Sequence, residues 1–190
     1  MTEFDFQIFC RDVDTSDESF LDRLYEVGCD DATVFFKDGY VCLDFSRESD
    51  SAESAVISAI KDFERAGIGG SIERVEPEDL ASLAEIAKRV GVTRASLQKY
   101  ARGESKVGKD FPVPVRNISA SRRELFSTSA VMNWMLQKQR ASIPTQRVEL
   151  FRTIAKTNQA LTVTKAQSDK DVIRLVGQLT TMKTAQRKRA

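Results

Sequence analysis

Hydrophobic and polar positions alternate over the first residues of the chain, and this pattern predicts a strand. Phe4, Phe6 and Ile8 are separated by acidic or amide residues, so one face of such a strand is apolar and the other is polar. Two further β-rich runs follow at residues 32–37 and 40–46. The dipeptide Asp-Gly joins them, and because both of its residues tolerate a positive φ it predicts a type I′ hairpin.

Two helices and a last strand are predicted around this hairpin. Polar caps at residues 15–17 precede apolar residues at helical spacing over 20–25, and a second apolar helical face extends over 55–63. The glycines of residues 67–70 end the second helix, and residues 71–75 form the last strand. The order β-α-β-β-α-β is that of the split βαβ, or ferredoxin-like, fold. We therefore predict an α+β protein whose N-terminal domain is ferredoxin-like.

The distribution of charge divides the chain. The net charge is only +1, but residues 1–79 contain 7 Lys and Arg against 21 Asp and Glu, a net charge of −14. Residues 80–190 contain 22 basic against 7 acidic residues, a net charge of +15. Such asymmetry indicates a polyanionic partner for the basic half and a domain boundary near residues 76–79. The predicted parts are an acidic accessory domain (1–76), a central domain (77–140) and a C-terminal pair of helices (141–190).

Two features of the acidic half resemble nucleotide or RNA sites, and the sequence argues against both. The glycines of residues 67–70 follow a helix and lack the Lys-Ser/Thr pair of a phosphate loop, so we interpret them as a helix C-cap. Phe9, Phe35 and Tyr40 are candidates for one outer sheet face, where aromatic rings can stack on RNA bases. A net charge of −14 opposes RNA binding, because affinity depends on neutralising phosphates. We expect a protein contact or a covered face instead.

Composition argues against most catalytic chemistry. The chain has no histidine, which removes Ser-His and Cys-His arrangements and the commonest metal ligand. Cys10, Cys29 and Cys42 lie far apart without the spacing of a metal site, and we expect buried apolar residues there. The pair Asp30-Asp31 lies in a uniformly acidic region. We predict neither an enzyme nor a metal or cofactor.

Nothing in the sequence predicts membrane attachment. No run is long and apolar enough for a membrane helix, and the acidic, strand-like N-terminus does not resemble a signal peptide. We therefore expect a cytoplasmic protein.

Residues 83–102 fit a helix-turn-helix at each position where that motif constrains side-chain size or backbone conformation. Ala87 is small where the second helix must approach the first. Gly91 lies in the turn, which needs a left-handed residue, and Thr93 can cap the second helix through its hydroxyl. Leu97 returns to the core. The alternative is an αα-hairpin that packs without binding anything.

The outward face of the second helix distinguishes these two interpretations. It contains no acidic residue, and it has the side chains that recognition helices use in the major groove, with Arg or Lys for guanine and Gln for adenine. The predicted DNA-binding residues on this helix are Thr93, Arg94, Ala95, Gln98, Lys99 and Arg102. We therefore predict that the helix of residues 93–102 binds double-stranded DNA.

A small wing is predicted after this motif. A polar linker and the stiff run FPVPV lead to two short β-rich runs, RNI and ELF, and the wing is expected near residues 119–124. Arg122 and Arg123 are predicted to contact phosphate or to enter the minor groove. The alternative for these two arginines is a solvated charged loop. A helix capped by Ser127 or Thr128 follows the wing.

This part of the chain resembles the MerR-like and excisionase-type winged-helix DNA-binding domains of bacteria and phages. The similarity lies in the runs SLAEIAKRVGVTRASLQKYARG, FPVPV and RRELFSTSAVMNWM, and it covers only about residues 80–139. In those families an FP-x-P turn, a small wing and a helix follow the helix-turn-helix. The segment 116–123 is longer and more serine-rich than a minimal wing, and an acidic N-terminal domain is no general part of those families. The resemblance implies groove-reading roles for Arg94, Gln98 and Lys99, and wing contacts for Arg122 or Arg123.

Two amphipathic helices are predicted after residue 142. The first starts at Pro144 with an apolar stripe that includes Phe151 and Ile154, and Ser168-Asp169 caps the second. Helices in this position either form a homodimer interface, which a palindromic DNA site would mirror, or complete the monomer core. A basic tail at residues 187–189 can add phosphate contacts without specificity.

These features together predict a sequence-specific transcriptional regulator, a repressor that binds duplex DNA as a homodimer. The acidic domain would sense a ligand or a protein partner, or fold back on the basic half and weaken DNA binding. Two other hypotheses stay open. One is an antitoxin-like protein that neutralises a partner and autoregulates its operon, which co-purification of a neighbour-encoded protein would support. The other is an excisionase-like architectural protein, which marked DNA bending at tandem sites would support.

Overall fold

A computed structural model describes residues 1–104, 108–118 and 123–187, without the side chains of residues 117, 118, 123 and 179–187. The fold is α+β, with a four-stranded antiparallel sheet, a three-stranded sheet and, among the described residues, seven α-helices. The described helices are all too short or too polar to cross a membrane. In chain order the elements are β1 (Thr2–Val13), α1 (Phe20–Glu26), β2 (Ala32–Lys37), β3 (Tyr40–Ser49), α2 (Ala52–Arg65), β4 (Gly69–Glu76), β5 (Leu80–Ala81), α3 (Leu83–Val90), α4 (Arg94–Ala101), a 3₁₀ turn (Gly108–Asp110), β6 (Arg116–Ile118), β7 (Arg123–Ser127), α5 (Thr128–Gln137), α6 (Thr145–Ser168) and α7 (Lys170–Arg187).

The elements of the acidic half follow in the predicted order, β-α-β-β-α-β, and their strands pair in the order β2-β3-β1-β4. β1 lies between β3 and β4 and is antiparallel to both. Phe4, Phe6 and Ile8, which the alternation predicted on one face of β1, are each at most 3 % exposed and share a core with α1 and α2. The period-two pattern of β1 therefore determines which sheet face the helices cover.

The turns and caps of this half agree with the sequence except at α1 and at the glycines of residues 67–70, of which Gly67 follows the C-cap Ala66 of α2, whereas Gly69 and Gly70 belong to β4. The turn between β2 and β3 has a φ of 51° at Asp38 and 80° at Gly39, both positive as a type I′ hairpin requires. Ser51 caps α2, its hydroxyl accepting a backbone N–H at 3.1 Å. The predicted caps for α1 at residues 15–17 are wrong. The helix starts after Ser19, because Asp17 uses its carboxylate in a local turn, where it accepts from the N–H and the hydroxyl of Ser19.

Phe9, Phe35 and Tyr40 lie on the sheet face opposite these helices. The strand register places Phe9 and Phe35 on either side of Cys42, and Tyr40 is two residues from Cys42 along β3. The Arg74 guanidinium stacks over the rings of Phe9 and Tyr40, 3.9 and 4.9 Å from their centroids. Phe9 is therefore only 2 % exposed. At Phe9 the aromatic face is covered by side chains of the chain itself.

A buried cluster of charged side chains connects α2 to β3. The side chain of Arg47 donates to Asp31 at 2.7 and 2.8 Å and to Asp62 of α2 at 2.7 Å. It also donates to the Gly28 carbonyl, and to Ser58 at 3.0 Å. Burial alone would lower the pKa of Arg47, but the hydrogen bonds to Asp31 and Asp62 outweigh it and raise the pKa. Asp31, which the sequence analysis placed in a uniformly acidic region, is therefore paired with the buried Arg47.

A second core lies under β5, β6 and β7. β5 was not predicted; it pairs with β7, which also pairs with β6. The Ser127 hydroxyl caps α5, as predicted, by accepting a backbone N–H at 3.1 Å. Four aromatic rings meet in this core at centroid distances of 5.0–6.5 Å, and they belong to Tyr100, Phe111, Phe126 and Trp134.

α6 contributes side chains to both cores. Val148 and Phe151 pack with the second core, whereas Leu150 and Ile154 pack with the first. Side chains about one helical turn apart share a face, so two offset stripes of one helix can serve two cores. The apolar stripe that the sequence predicted is therefore buried within the chain itself.

α7 differs from α6 because three of its described apolar residues remain exposed. Asp169 provides the predicted cap, accepting the N–H groups of the first turn at 2.9 and 3.2 Å. Ile173, Leu175 and Val176 are 49–55 % exposed. The basic tail that was predicted at 187–189 has its residues 188 and 189 outside the described part of the chain.

Candidate nucleic-acid interface

α3 is fixed at both ends by local hydrogen bonds. Ser82 Oγ accepts from the Glu85 N–H at 3.3 Å, and the Glu85 carboxylate accepts from the Ser82 N–H at 2.8 Å, which forms a capping box. At the other end Gly91 has a φ of 78°, and the N–H groups of Gly91 and Val92 both donate to the Ala87 carbonyl at 3.0 Å. Gly91 thus provides the left-handed turn that the sequence predicted.

α4 begins at the predicted cap. The Thr93 hydroxyl accepts from the Ser96 N–H at 3.2 Å. Leu97 is fully buried in the same core as Ile86 and Ala87 of α3. Because Leu97 faces this core, the helical repeat turns the residues on the opposite side of α4 outward.

The outward side of α4 is basic. Arg94, Lys99 and Arg102 are exposed, and no acidic residue lies in the first turn. Arg102 Nη1 is 3.7 Å from Glu104 Oε1, and because both side chains are more than half exposed this ion pair is weak. Ala95 is also exposed, and the hydroxyl of Thr93 is used in capping.

Arg94 and Gln98 contact each other one helical turn apart. With the amide of Gln98 oriented so that its oxygen faces the guanidinium, that oxygen accepts from Arg94 Nε at 3.1 Å and from Nη2 at 3.2 Å. Gln98 is half-buried, whereas Arg94 is exposed. The amide therefore contacts the Nε and Nη2 side of a guanidinium that belongs to an exposed residue.

A concavity of about 550 Å³ lies between α4, the start of α3 and β7. Arg94 and Gln98 line it together with the carboxylates of Glu85 and Glu124. The residues that the sequence predicted on this surface are basic or neutral, but the concavity also contains two acidic residues, so its charge is mixed. Glu124 belongs to the predicted wing. Alternation along β7 places it on the same face as Phe126, two residues later, and on the face opposite Leu125, and this pattern is the signal that would have indicated its position.

The hairpin of β6 and β7 lies where the wing was predicted. Its register pairs Arg116 with Leu125 and Ile118 with Arg123. Arg122 lies outside the described residues, as do residues 119–121, and Arg123 is described only by its backbone in β7. Arg116 is an exposed basic residue of this hairpin that the prediction did not include.

Arg89 is a basic residue of α3 that belongs to the scaffold. Its Nη1 donates to the Glu78 carbonyl and to Thr128 Oγ1, both at 3.0 Å, and its guanidinium stacks 5.1 Å over the Phe151 ring of α6. Burial lowers the pKa of Arg89. Lys88-Arg89 resembles an exposed basic pair in the sequence. The two residues differ in their position on the helix: Arg89 follows the inward-facing Ile86 by three residues and therefore lies on the same side of α3, whereas Lys88 does not.

The surface on α4 can donate hydrogen bonds to an anion or to base edges, and the concavity beside it can also accept them. In the described parts of the chain, no three His, Cys, Asp or Glu side chains lie close enough to hold a metal ion. No family model matches this chain, and neither the characterised proteins nor the solved structures include a match to it.

Proposed function

We propose that this protein is a sequence-specific DNA-binding transcriptional regulator, a repressor whose α4 enters the major groove. In this proposal residues 80–137 are a winged helix-turn-helix domain with β6 and β7 as the wing, and residues 2–76 are a ferredoxin-like accessory domain. The proposal rests on one observation: the exposed side of α4 is basic, while its cap at Thr93 and its buried anchor at Leu97 hold the helix rigidly. A helix held in this way can enter a groove without first becoming ordered.

Position along α4 separates two roles. The N-terminal residues of a recognition helix come closest to the base edges, so Arg94 is the proposed base-reading residue. Lys99 and Arg102 are further along the helix and suit phosphates, as does Arg116 on the hairpin. The phosphate contacts supply affinity that falls with salt, and the base contact supplies the preference for one sequence.

The proposed DNA-bound form is a homodimer joined through α7. α6 buries its apolar stripe in the cores of its own chain, whereas Ile173, Leu175 and Val176 of α7 are about half exposed. Two-fold symmetry would present two copies of α4 to half-sites about 34–36 Å apart. Sedimentation equilibrium of the free protein, and its stoichiometry on DNA, test this arrangement.

The decisive experiment selects duplexes from a random pool with the full-length protein and then measures their binding by fluorescence anisotropy. We expect one sequence to be enriched and to remain bound under excess scrambled duplex, with affinity that decreases as salt rises. Arg94→Ala should abolish the preference. Lys99→Ala should weaken binding to all duplexes alike and reduce the salt slope by about 1. Lys156→Ala, on the exposed side of α6, is the matched control and should change neither.

Enrichment of no sequence, or equal affinity for selected and scrambled duplexes at every salt concentration, would refute a sequence-specific regulator. Weak binding that disappears equally for all duplexes as salt rises would leave only a non-specific electrostatic role. The basic side of α4 would then be a solvated helix face, and the acidic half would become the surface to test against protein partners.

A further inference from the structure

The contact between Gln98 and Arg94 bears on how α4 would read a base. Arg94 is the first residue of α4, and Gln98 lies four residues later on the same side of the helix. In the amide orientation that satisfies both its oxygen and its nitrogen, the Gln98 oxygen accepts from both Nε and Nη2 of Arg94, at 3.1 and 3.2 Å. Two bonds to one planar group fix its orientation as well as its distance.

The hydrogen bonds that remain available to Arg94 follow from this geometry. A guanidinium has five N–H groups, and Gln98 occupies the Nε–H and one N–H of Nη2. The edge formed by Nη1 and Nη2 still has two parallel N–H groups. Such a pair matches the O6 and N7 acceptors of guanine in the major groove.

Gln98 itself is not available for the contact that its residue type suggests. A glutamine reads adenine by accepting from N6 and donating to N7, and its oxygen is needed for the first of these bonds. In Gln98 the amide orientation assigned from its neighbours directs that oxygen at the arginine. We propose that Gln98 is a positioning residue which orients Arg94 for guanine, and that it does not read adenine; this inference rests on the DNA-binding function proposed above.

A neutral amide suits this role better than a carboxylate. An acidic residue at position 98 would also hold the guanidinium, but it would cancel the charge that attracts the phosphates of DNA. Orienting Arg94 before binding reduces the entropy lost when its long side chain becomes immobilised on the base. The expected gain is about 3- to 10-fold in affinity for the duplex with the correct guanine, and none for duplexes without it.

The test uses the duplex selected by the full-length protein and replaces each guanine in turn by 7-deazaguanine, which lacks the N7 acceptor. For the wild type, we expect one guanine at which this replacement weakens binding markedly. Gln98→Met keeps the length of the side chain without its acceptor. It should lose about 3- to 10-fold in affinity for the intact duplex, little for the 7-deaza duplex, and leave the salt slope unchanged. Gln98→Glu should restore the discrimination ratio at a lower overall affinity.

The controls separate this inference from the proposed function. Gln159→Met, on the exposed part of α6, should match the wild type on every duplex. If the wild type prefers no duplex, the proposed function and this inference both fail. If a preferred duplex exists but Gln98→Met keeps the full 7-deazaguanine effect, only the inference fails. It also fails if Gln98→Met removes a preference at an adenine, measured with 7-deazaadenine, because Gln98 would then read that base directly.

Discussion

Asn158 of α6 pairs with the backbone of Val75 in β4 through both atoms of its amide. The Val75 N–H donates to Asn158 Oδ1 at 2.7 Å, and Asn158 Nδ2 donates to the Val75 carbonyl at 2.8 Å. β4 is an edge strand of the four-stranded sheet. At Val75 this side-chain amide makes the two hydrogen bonds that a neighbouring strand would make, so that the edge is satisfied at this residue by the chain's own helix.

Replacing this amide should loosen the β4 edge. Asn158→Ala leaves the N–H and the carbonyl of Val75 without their partners, and we expect a loss of about 1–2 kcal/mol in the free energy of unfolding. Urea denaturation measures the loss, and hydrogen exchange at the Val75 N–H should accelerate. Gln159→Ala, at the exposed neighbouring position, is the control. Exchange at Val75 that matches the control would show that the amide pair contributes nothing.

The buried Arg47 should be worth far more than an exposed arginine that binds the same carboxylate. Arg47→Met removes the buried partner of both Asp31 and Asp62, and it leaves Asp62, which is 8 % exposed, with only the exposed Arg65, so we expect a loss of about 3–5 kcal/mol in stability. Arg65 also pairs with Asp62, but its side chain is 65 % exposed. Arg65→Met should therefore cost less than about 1 kcal/mol. Equal losses in thermal or urea unfolding would contradict this assignment.

Stability should fall at alkaline pH because the cysteine thiols are buried. Burial raises the pKa of the Cys29 thiol from 9.0 to about 11, and burial raises that of Cys10 as well. A thiol whose pKa is higher in the folded state ionises first in the unfolded chain. Its contribution is therefore complete below pH 9 and decreases as the pH rises towards 11.

The urea midpoint, measured from neutral pH to pH 11, tests this dependence. Cys29→Ala should reduce the alkaline decrease without removing it, because Cys10 remains. A pH profile of Cys29→Ala parallel to that of the wild type would contradict the role of this thiol. At neutral pH a thiol reagent should react with Cys10 and Cys29 only after unfolding, since both are at most 4 % exposed.

The elements that could be predicted are those whose signal is local. The alternation of apolar and polar residues predicted that Phe4 and Ile8 lie on the buried face of β1. Residues that tolerate a positive φ predicted the turns at Gly39 and Gly91. A few neighbouring residues are enough to determine such structures. On α4, Thr93 and Leu97 determine the phase of the helix, so the outward side followed from the sequence. The prediction failed at the cap of α1, where a side chain had two backbone groups within reach and the sequence does not choose between them.

Contacts between distant parts of the chain could not be predicted in the same way. Asn158 lies 83 residues from Val75, and an asparagine within a helix has no pattern that points to a sheet edge. Arg89 became part of the scaffold because it meets Thr128 and Phe151, which belong to two other helices. Such pairs depend on how elements pack, and a single sequence records only the spacing within each element.

The two cores should unfold together because α6 belongs to both. Ile154 is fully buried in the first core, and Trp134, the only tryptophan, lies in the second. Ile154→Ala should lower the free energy of unfolding by about 2–5 kcal/mol, because packing in the first core is lost. We expect the unfolding transition followed by Trp134 fluorescence to shift together with the one followed by circular dichroism. Val163→Ala, at a half-exposed site on α6, should shift neither. An unchanged Trp134 transition in Ile154→Ala would mean that the halves unfold independently.

Glu124 should weaken DNA binding in the wild type if α4 binds as proposed. Its carboxylate lines the concavity that also contains Arg94 and Gln98, and DNA seated there would bring phosphates towards a negative charge. Glu124→Gln should therefore tighten binding by about 2- to 5-fold at low salt, with a gain that shrinks as salt screens the repulsion.

The control for this prediction is Glu149→Gln, an exposed carboxylate on α6 whose loss changes the net charge equally. Anisotropy titrations with the selected duplex at several salt concentrations compare the two variants. Equal tightening in both would mean that net charge alone is responsible. Weaker binding by Glu124→Gln would contradict the prediction and would indicate that the carboxylate accepts a hydrogen bond from a cytosine N4, since cytosine is the base that offers only a donor in the major groove.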